Sequence, residues 1–394
     1  MEDKSSPERS PVMEQFIRQV DYIKLNGFPG GLCSDLAEIT GATESLTVWN
    51  TRQDNGERVE PIREGKPRDE LLIKVPFAGT NLTIRLLFYL QEPWMPPDMS
   101  FSDIHFLSSI SIKDLEEQVP SLNNWNCSED DIIAQLLHQL LQLYKKYQIE
   151  KLEDDDVLQF EYQSLLKTLK IGEGDIEISV NGAGHRASSL LVRLPLSLQD
   201  VPPVLVDANP GSATSLLQVT FQGNEGVFVP KLHLSPRVEL LIGGANTLAL
   251  PAVPPGTCLM DYVERVLELL EEKVRKSVLC FETRKQFIAQ VLCLFGCAVI
   301  EYDAERFNKV VLLFDVKDFH FLTFIILGPL FPQQQAPKIV LQSLYHNSPR
   351  EPYSKELTEQ RYNPQWTPEE MVKNIKEVIL ANVSAFQQSS IRTS

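Results

Sequence analysis

The chain has 394 residues, of which 43% are hydrophobic, enough for two or three domains that each bury a core. Its 53 acidic and 37 basic residues give a formal net charge of −16, which would repel nucleic-acid phosphates and anionic lipid surfaces. No uncharged apolar run approaches the roughly 18 residues that span a bilayer, and the start "MEDKSSPERSPV" lacks the apolar core of a signal peptide. We therefore expect a cytoplasmic and nuclear protein that binds neither membranes nor nucleic acid directly.

The first hundred residues predict a helix, a strand hairpin and a rigid crossing. The periodicity of "SPVMEQFIRQVDYI" indicates an amphipathic helix, and "LLIKVPFAGTNLTIRLLFYL" indicates two strands joined by a tight turn at Gly79. The next stretch, "EPWMPPDMSF", contains Pro93, Pro96 and Pro97. Because each proline fixes φ and lacks an N–H donor, this stretch predicts a stiff connection between two strands rather than an interior strand.

A tryptophan and a helix-start signal complete this first repeat. Trp125 precedes Ser128, and apolar residues then recur at steps of three and four from Ile132 to Tyr144. The acidic run "EKLEDDD" predicts a hinge, so we place the first domain at residues 1–150. The charged segments 50–70 and 346–365 are both predicted to be exposed loops, the first of them mobile.

A weaker repeat is predicted at residues 151–276. The helix "DVLQFEYQSLLKTL" leads into the strand-like runs "GDIEISV", "SSLLVRLPLSL", "SLLQVTFQG" and "VFVPKLHLS", and then into the helix "DYVERVLELLEEKV". Pro230 is the one proline that marks a crossing here, and no tryptophan follows it.

The last repeat, residues 277–394, matches the first more closely. The run "VVLLFDVKDFHFLTFIILGPLFPQQQAPKIVLQS" predicts a hairpin with a turn at Asp318, a crossing with Pro332 and Pro337, and a third strand. Trp366 then precedes a second amphipathic helix. The helix in front, "FETRKQFIAQVLCLFG", follows the middle repeat's last helix with little or no linker.

Four large apolar residues are candidate partner contacts. Trp94 and Met95 lie at the tip of the first crossing, and Phe331 holds a similar position in the last one. Phe386 lies near the end of the final helix. For each, packing within its own domain and contact with a partner protein both stay open.

The order of helix, antiparallel strands, proline crossing, tryptophan and amphipathic helix resembles the ubiquitin-conjugating-enzyme fold. "EPWMPPDMSF" is similar to that family's Tyr-Pro-x-x-Pro-Pro crossing, with Glu92 in place of the tyrosine. The resemblance implies an α+β fold built as a tandem array of three conjugating-enzyme-variant (UEV/RWD-like) units, each a helix, an antiparallel meander and a helix. The fold-defining positions would be the crossing prolines and the tryptophans: Pro93, Pro96, Pro97, Trp125, Pro230, Pro332, Pro337 and Trp366.

The residues that active members of that family use are missing. Such enzymes carry a nucleophilic cysteine between the crossing and the tryptophan, with a His-Pro-Asn triplet that supports the oxyanion. Residues 98–124 and 338–365 hold no cysteine, and Tyr345-His346-Asn347 is at most a trace of the triplet. Cys127 and Cys258 lie outside the expected position; we interpret them as incidental thiols and keep a residual conjugating enzyme as one hypothesis.

No metal or cofactor site is predicted. Cys293 and Cys297 share a helix face, where a metal site is one alternative and packing in a buried helix is the interpretation we favour. All six cysteines are expected to be reduced, since they are scattered over a long chain with no secretory signal: Cys33, Cys127, Cys258, Cys280, Cys293 and Cys297. The histidines are likewise dispersed: His105, His138, His185, His233, His320 and His346.

A closer resemblance is to the BRE family, on "LMDYVERV", "VIEYDAERFNKVVLLF", "PKLHLSPRVE", "LIGGANTLALPA" and "FEYQSLL". It implies a non-enzymatic scaffold in BRISC and BRCA-A type deubiquitinase complexes, which act on lysine-sixty-three-linked ubiquitin chains in the DNA-damage response and mitosis. The scaffold would bridge a von Willebrand A-type subunit to an Abraxas-family scaffold and a JAMM-type metalloprotease that holds the zinc. Ubiquitin is a further candidate partner, and a stand-alone ubiquitin-binding adaptor is the alternative function.

Overall fold

The computed structural model is an α+β protein with three sheets, as predicted. It packs as two compact units: unit 1 comprises Met1–Leu194, Leu216–His233 and Val253–Val263, and unit 2 comprises Pro195–Ser215, Leu234–Ala252 and Glu264–Ser394. The predicted loop 50–70 lies outside the described residues except for its last three. The structure describes residues 11–27, 30–32, 38–40, 68–89, 91–168, 171–180, 187–206, 212–222, 227–244, 248–348, 351–358 and 361–393.

In sequence, the first sheet of unit 1 follows one helix and precedes three others. Its strands follow the order β1 (Glu38–Thr40), β2 (Arg68–Phe77), β3 (Thr80–Tyr89) and β4 (Asp98–Phe101). The helices are α1 (Pro11–Asn26), the short α2 (Ile112–Gln118) and α3 (Pro120–Asn123), and α4 (Ile132–Glu150). Alternate side chains of β2 and β3, such as Ile73 and Ile84, are fully buried against α1 and α4, because side chains one strand position apart point to opposite faces. Helix α4 begins at Ile132, after the predicted start signal at Ser128.

The second sheet of unit 1 belongs to the middle repeat. Helix α5 (Asp156–Thr168) precedes strands β5 (Ile176–Ser179), β6 (Ser189–Arg193), β7 (Ser215–Gln222) and β8 (Val227–Leu234), which pair in that order. Pro230 lies inside β8, so the prediction that it marks a crossing is wrong. Because β8 is the edge of this sheet, a residue without an N–H is tolerated there.

Unit 2 holds the third sheet and most of the long helix α8 (Leu259–Phe295). Two short helices, α6 (Pro203–Val206) and α7 (Pro236–Leu241), also belong to unit 2. The prediction that α8 runs on with little or no linker is confirmed, since it is unbroken over 37 residues. The sheet order is β13 (Glu351–Leu357), β12 (Lys338–Ser348), β11 (Phe319–Ile326), β10 (Lys309–Val316) and β9 (Val299–Tyr302).

Two further features of unit 2 bear on the predictions. The prediction of a loop at 346–365 is wrong in part, because residues Glu351–Leu357 form strand β13, which pairs antiparallel with β12 at the sheet edge. The final helix, α9 (Pro368–Thr393), begins as predicted: the Thr367 hydroxyl accepts the Glu370 N–H at 3.3 Å, and the Glu370 carboxylate accepts the Thr367 N–H at 2.8 Å.

The first and last sheets contain the same hairpin turn with opposite surroundings. Two residues separate β2 from β3 and β10 from β11, and all four have positive φ: 47° and 79° at Ala78 and Gly79, 53° and 60° at Lys317 and Asp318. Such turns match the right-handed twist of paired strands. Lys317 and Asp318 are exposed, whereas Ala78 is fully buried.

The first hairpin is buried because its tip packs against side chains of the middle repeat's sheet. We call this site the hairpin socket (Glu177, Ser189 and Gln218). The Ala78 N–H donates to Glu177 Oε2 at 3.0 Å, and the Ser189 hydroxyl donates to the Ala78 carbonyl at 2.6 Å. A Cβ built on Gly79 would lie 2.1 Å from Gln218 Nε2. Glycine is therefore favoured at this position by its left-handed φ, and any larger residue would also require the Gln218 side chain to shift.

A second contact beside the socket joins the same two repeats. The Leu32 N–H donates to the other oxygen of Glu177, Oε1, at 2.6 Å, and the Leu32 side chain packs with Leu191 and Leu216. Glu177 is only 2% exposed, and its burial raises the pKa of the carboxyl despite these two N–H donors and the nearby Lys145 and Arg193.

Gly79→Ala is expected to lower the stability of unit 1 by about 1 to 3 kcal/mol, since it adds left-handed strain and overpacks the socket. Asp318→Ala is the matched control, because it places alanine at the same kind of turn on the surface. Urea denaturation and hydrogen exchange of β2, β3 and β5 measure the effect. Equal losses of stability in the two variants would contradict the proposed contact between the hairpin tip and the socket. The double variant Gly79→Ala with Gln218→Ala should recover part of the stability lost in Gly79→Ala, because it removes the side chain that the new Cβ would meet.

Glu177→Gln should change how stability depends on pH. Because burial raises the folded-state pKa of Glu177 above its ordinary 4.5, its contribution is fully present below that value and is lost as pH rises through the folded-state pKa. The free energy of unfolding of the wild type, minus that of the variant, should therefore fall as pH is raised from about 4. Exposed Glu116→Gln is the control, and a difference that is flat or rises with pH would argue against this assignment.

Candidate functional site

A cavity of about 310 Å³ lies beneath the first proline crossing, in unit 1. Three segments form it: the N-terminal half of α1, the end of β3 with the crossing, and the residues that follow Trp125. We call it the crossing groove. Its lining residues are Val12, Gln15, Phe16, Arg18, Gln19, Phe88, Tyr89, Pro93, Met95, Trp125, Cys127 and Ser128.

Helix α1 holds one wall of the groove through two glutamines. The amide of Gln19, which is 3% exposed, donates to the carbonyls of Cys127 at 2.7 Å and Glu129 at 2.9 Å. Gln15 donates to the carbonyl of Ser128 at 3.1 Å and to the carboxylate of Asp130 at 2.9 Å. These bonds fix the segment after Trp125 against α1.

An indole hydrogen bond holds the opposite wall. The Trp125 Nε1–H donates to the Pro93 carbonyl at 3.1 Å, which ties the crossing to the segment before α4. The Phe88 ring contacts two other rings: its centroid lies 6.3 Å from that of Trp125 and 4.5 Å from that of Phe16, which it meets edge to face. The crossing proline and the tryptophan therefore stabilise one another directly.

The crossing leaves its tip in solvent. Pro93, Pro96 and Pro97 lie where they were predicted, between β3 and β4. Trp94 is 66% exposed and Met95 is 43% exposed at the mouth of the groove. Their contact with a partner stays a prediction, but their side chains are available for one.

The other two candidate contacts are core residues. Of the alternatives left open for Phe331 and Phe386, the structure shows packing, because both side chains are 0% exposed in the core of unit 2. The Phe331 ring lies 5.3 Å from Phe287 of α8. Pro332 and Pro337 lie in the crossing between β11 and β12, where the Tyr362 hydroxyl donates to the Pro332 carbonyl, and Trp366 packs partly buried against the same core.

The cysteines differ in their surroundings. Cys127 lines the crossing groove and is partly exposed. The Cys258 thiol donates to Glu161 Oε2 at 3.2 Å; burial first, and then this carboxylate, raise the pKa of the thiol. The same Glu161 oxygen accepts the N–H of Leu259, where α8 begins. Cys258 is thus held as a thiol at the start of a helix.

Cys293 and Cys297 do not pack in a buried helix. Both are exposed, and Cys297 lies beyond the end of α8, so the prediction of buried packing is wrong. Across the part of the chain that the structure describes, no three His, Cys, Asp or Glu side chains are grouped to hold a metal ion. Within the same residues, no helix has the length and hydropathy to cross a bilayer.

Cys258 should react with iodoacetamide more slowly than exposed Cys293 between about pH 7 and pH 9, because only the thiolate reacts and burial disfavours it. Peptide-level mass spectrometry measures both rates in one sample. Charging with an activating enzyme and ATP should give no ubiquitin thioester on Cys258. Equal alkylation rates, or a thioester lost in Cys258→Ser, would contradict the assignment.

The chain is similar to known proteins over most of its length. Residues 45–347 match the family model described as brain and reproductive organ-expressed protein (BRE). The BRISC and BRCA1-A complex member 2 of Danio rerio is 35% identical over 332 residues, 82% of this chain and 84% of the relative. The protein of the same name from Branchiostoma floridae is 32% identical over 348 residues, 85% of this chain and 90% of the relative. The family match includes the crossing and Trp125 but not α1.

Proposed function

The chain belongs to the family of the brain and reproductive organ-expressed protein (BRE), and from this membership we propose that it is a non-catalytic scaffold subunit of a deubiquitinase complex of the BRISC and BRCA1-A type. The observation that carries the proposal is similarity over 82% and 85% of the chain to two relatives named as members of those complexes. The family match spans strands of all three sheets, so it involves more than one shared domain.

The surroundings of the thiols support a role without catalysis. A conjugating enzyme needs an accessible thiolate between the crossing and the tryptophan, and residues 98–124 hold no cysteine. In the structure this interval forms β4, α2 and α3. Cys258, one of the two substitutes considered, is held as a thiol beside Glu161. Neither observation favours thioester chemistry.

We also propose that the three repeats, at 1–150, 151–276 and 277–394, are inactive relatives of ubiquitin-conjugating enzymes. The first and last share a two-residue hairpin, a proline crossing, a tryptophan and a long helix in the same order, which supports a common origin. The middle repeat has the helix and the four-stranded sheet without a proline crossing at Pro230.

In this proposal the chain provides surfaces and its partners provide chemistry. It would hold a von Willebrand A-type subunit against an Abraxas-family scaffold and a JAMM-type metalloprotease. The zinc and the hydrolysis of lysine-sixty-three-linked chains would belong to the metalloprotease. Nuclear and cytoplasmic pools, and roles in the DNA-damage response and mitosis, follow from the same proposal.

A stand-alone ubiquitin-binding adaptor is the second candidate. The observation that favours it is the crossing groove with exposed Trp94 and Met95, a surface that an adaptor also needs. The adaptor predicts that the purified chain binds ubiquitin without any other subunit, whereas the scaffold requires no such affinity.

Affinity purification of the tagged chain should recover a metalloprotease and a von Willebrand A-type protein in stoichiometric amounts. The eluate, but not the recombinant chain, should cleave lysine-sixty-three-linked chains, and a zinc chelator should abolish the cleavage. Mass spectrometry of the eluate and a chain-cleavage assay measure this. A chain that elutes alone, or with a conjugating enzyme, overturns the scaffold proposal, and titration with ubiquitin then tests the adaptor.

A further inference from the structure

We propose that the crossing groove binds a segment of a partner protein in which a large apolar side chain is flanked by lysine or arginine. The inference rests on the proposed function, because it specifies the kind of surface that the scaffold holds through its first repeat. It depends on three properties of the groove: its size and apolar faces, the prior use of its polar atoms, and the charge around it.

The groove has the size of an anchor site. Its volume of about 310 Å³ is at the lower end of the range for ligand pockets, so it suits one or two side chains rather than an extended molecule. The rings of Phe16, Phe88 and Trp125 provide apolar surface inside it. Met95 lines the mouth, and Trp94 beside it adds an exposed aromatic face. Buried anchors of this kind supply most of the affinity in protein interfaces.

Polar groups in the walls are already engaged. The Trp125 indole N–H is bonded to the Pro93 carbonyl, and the Gln19 amide to the carbonyls of Cys127 and Glu129. The Gln15 amide bonds Ser128 and Asp130. An occupant that needed these atoms would have to break existing bonds, at the cost of leaving buried groups unpaired. The groove therefore suits an apolar anchor over a polar one.

Charge selects what flanks the anchor. Among the described residues of the three segments that form the groove (11–20, 88–101 and 125–130), there are five carboxylates and one basic side chain, Arg18. Two of these carboxylates accept hydrogen bonds from residues that line the groove: Asp130 from Gln15, and Asp98 from Tyr89. Glu14 and Glu92 are sequence neighbours of lining residues. The five are Glu14, Glu92, Asp98, Glu129 and Asp130.

We call these five carboxylates the rim of the groove. Their negative charge attracts cationic segments and repels acidic ones, which raises the association rate of a basic partner and disfavours acidic partners. It also disfavours docking of the same face from a second copy, which would bring like charges together. A partner segment with an apolar centre and basic flanks satisfies both the cavity and its rim.

Direct titration of the full-length chain tests the proposal. Three matched sets of fluorescent peptides of about twelve residues share a central Trp-Leu pair and differ in flanks of Lys and Arg, of Ser, or of Asp and Glu. The basic set should bind at least about tenfold more tightly than the serine set, with the acidic set weakest. Raising the salt concentration should reduce this advantage. Equal affinity across the three sets overturns the proposal.

Paired variants locate the binding. Glu14→Arg with Glu92→Arg should abolish the advantage of the basic set, while Glu116→Arg with Glu153→Arg makes the same charge change at exposed positions away from the groove. Trp94→Ser with Met95→Ser should weaken all three sets about tenfold or more. Ile104→Ser with Ile112→Ser removes other exposed apolar side chains of the same unit and should have no effect. Controls that weaken binding as much as the groove variants overturn the proposal.

The alkylation rate of Cys127 reports on occupancy of the groove, because Cys127 is one of the residues that line it. Bound basic peptide should slow its alkylation by iodoacetamide, and so should assembly of the purified complex. An active complex in which Cys127 reacts as fast as in the free chain overturns the groove proposal and leaves the scaffold function intact. A wild-type chain that recovers no complex overturns the scaffold function, and the peptide titration still decides the groove.

Discussion

The carboxylate of Glu177 is the contact on which the arrangement of unit 1 depends. It is almost fully buried, and its two oxygens accept the N–H groups of Leu32 and Ala78, both of which belong to the first repeat. A buried carboxylate is costly unless hydrogen bonds replace its water. Here backbone N–H groups from another repeat replace part of that water, and burial still raises the pKa of the carboxyl. A substitution that removes the carboxylate while the two sheets stay packed would leave two buried N–H groups without this acceptor. The crossing groove is built on the first of these sheets, and its position relative to the middle sheet follows from this contact.

Much of the fold follows from local pattern. The spacing of apolar residues along the chain predicts helices α1, α4 and α9 and the strands of the two hairpins. These elements lie close to their predicted positions. Strand β13 is missed because its sequence, "EPYSKEL", is mostly polar. An edge strand pairs through its backbone and needs few apolar side chains; here Leu357 is buried and Tyr353 is partly so. Pro230 fails as a crossing marker for a related reason, since an edge strand tolerates proline.

The site is less accessible to sequence reasoning. The crossing, Trp94 and Met95 could be singled out, but nothing in the sequence distinguishes them from Phe331, which occupies a similar place and folds inward. Exposure depends on which residues are nearby in space. Gln15 and Gln19 were missed, although their spacing of four beside Phe16 places two amides next to an apolar helix face, which is a usable signal. Cys297 lies just beyond α8, and the end of a helix is its least predictable property; Cys293 lies within α8 but on its exposed side.

The two hairpin tips differ in how much alteration they can accept. At Lys317–Asp318 the turn is in solvent, so an epitope, a fluorophore attachment site or a short inserted peptide would displace only water. The same insertion at Ala78–Gly79 would have to pass through the contact with Glu177 and Gln218. The last repeat therefore offers a place to attach a reporter without disturbing the sheet, and the first repeat, although built on the same turn, does not.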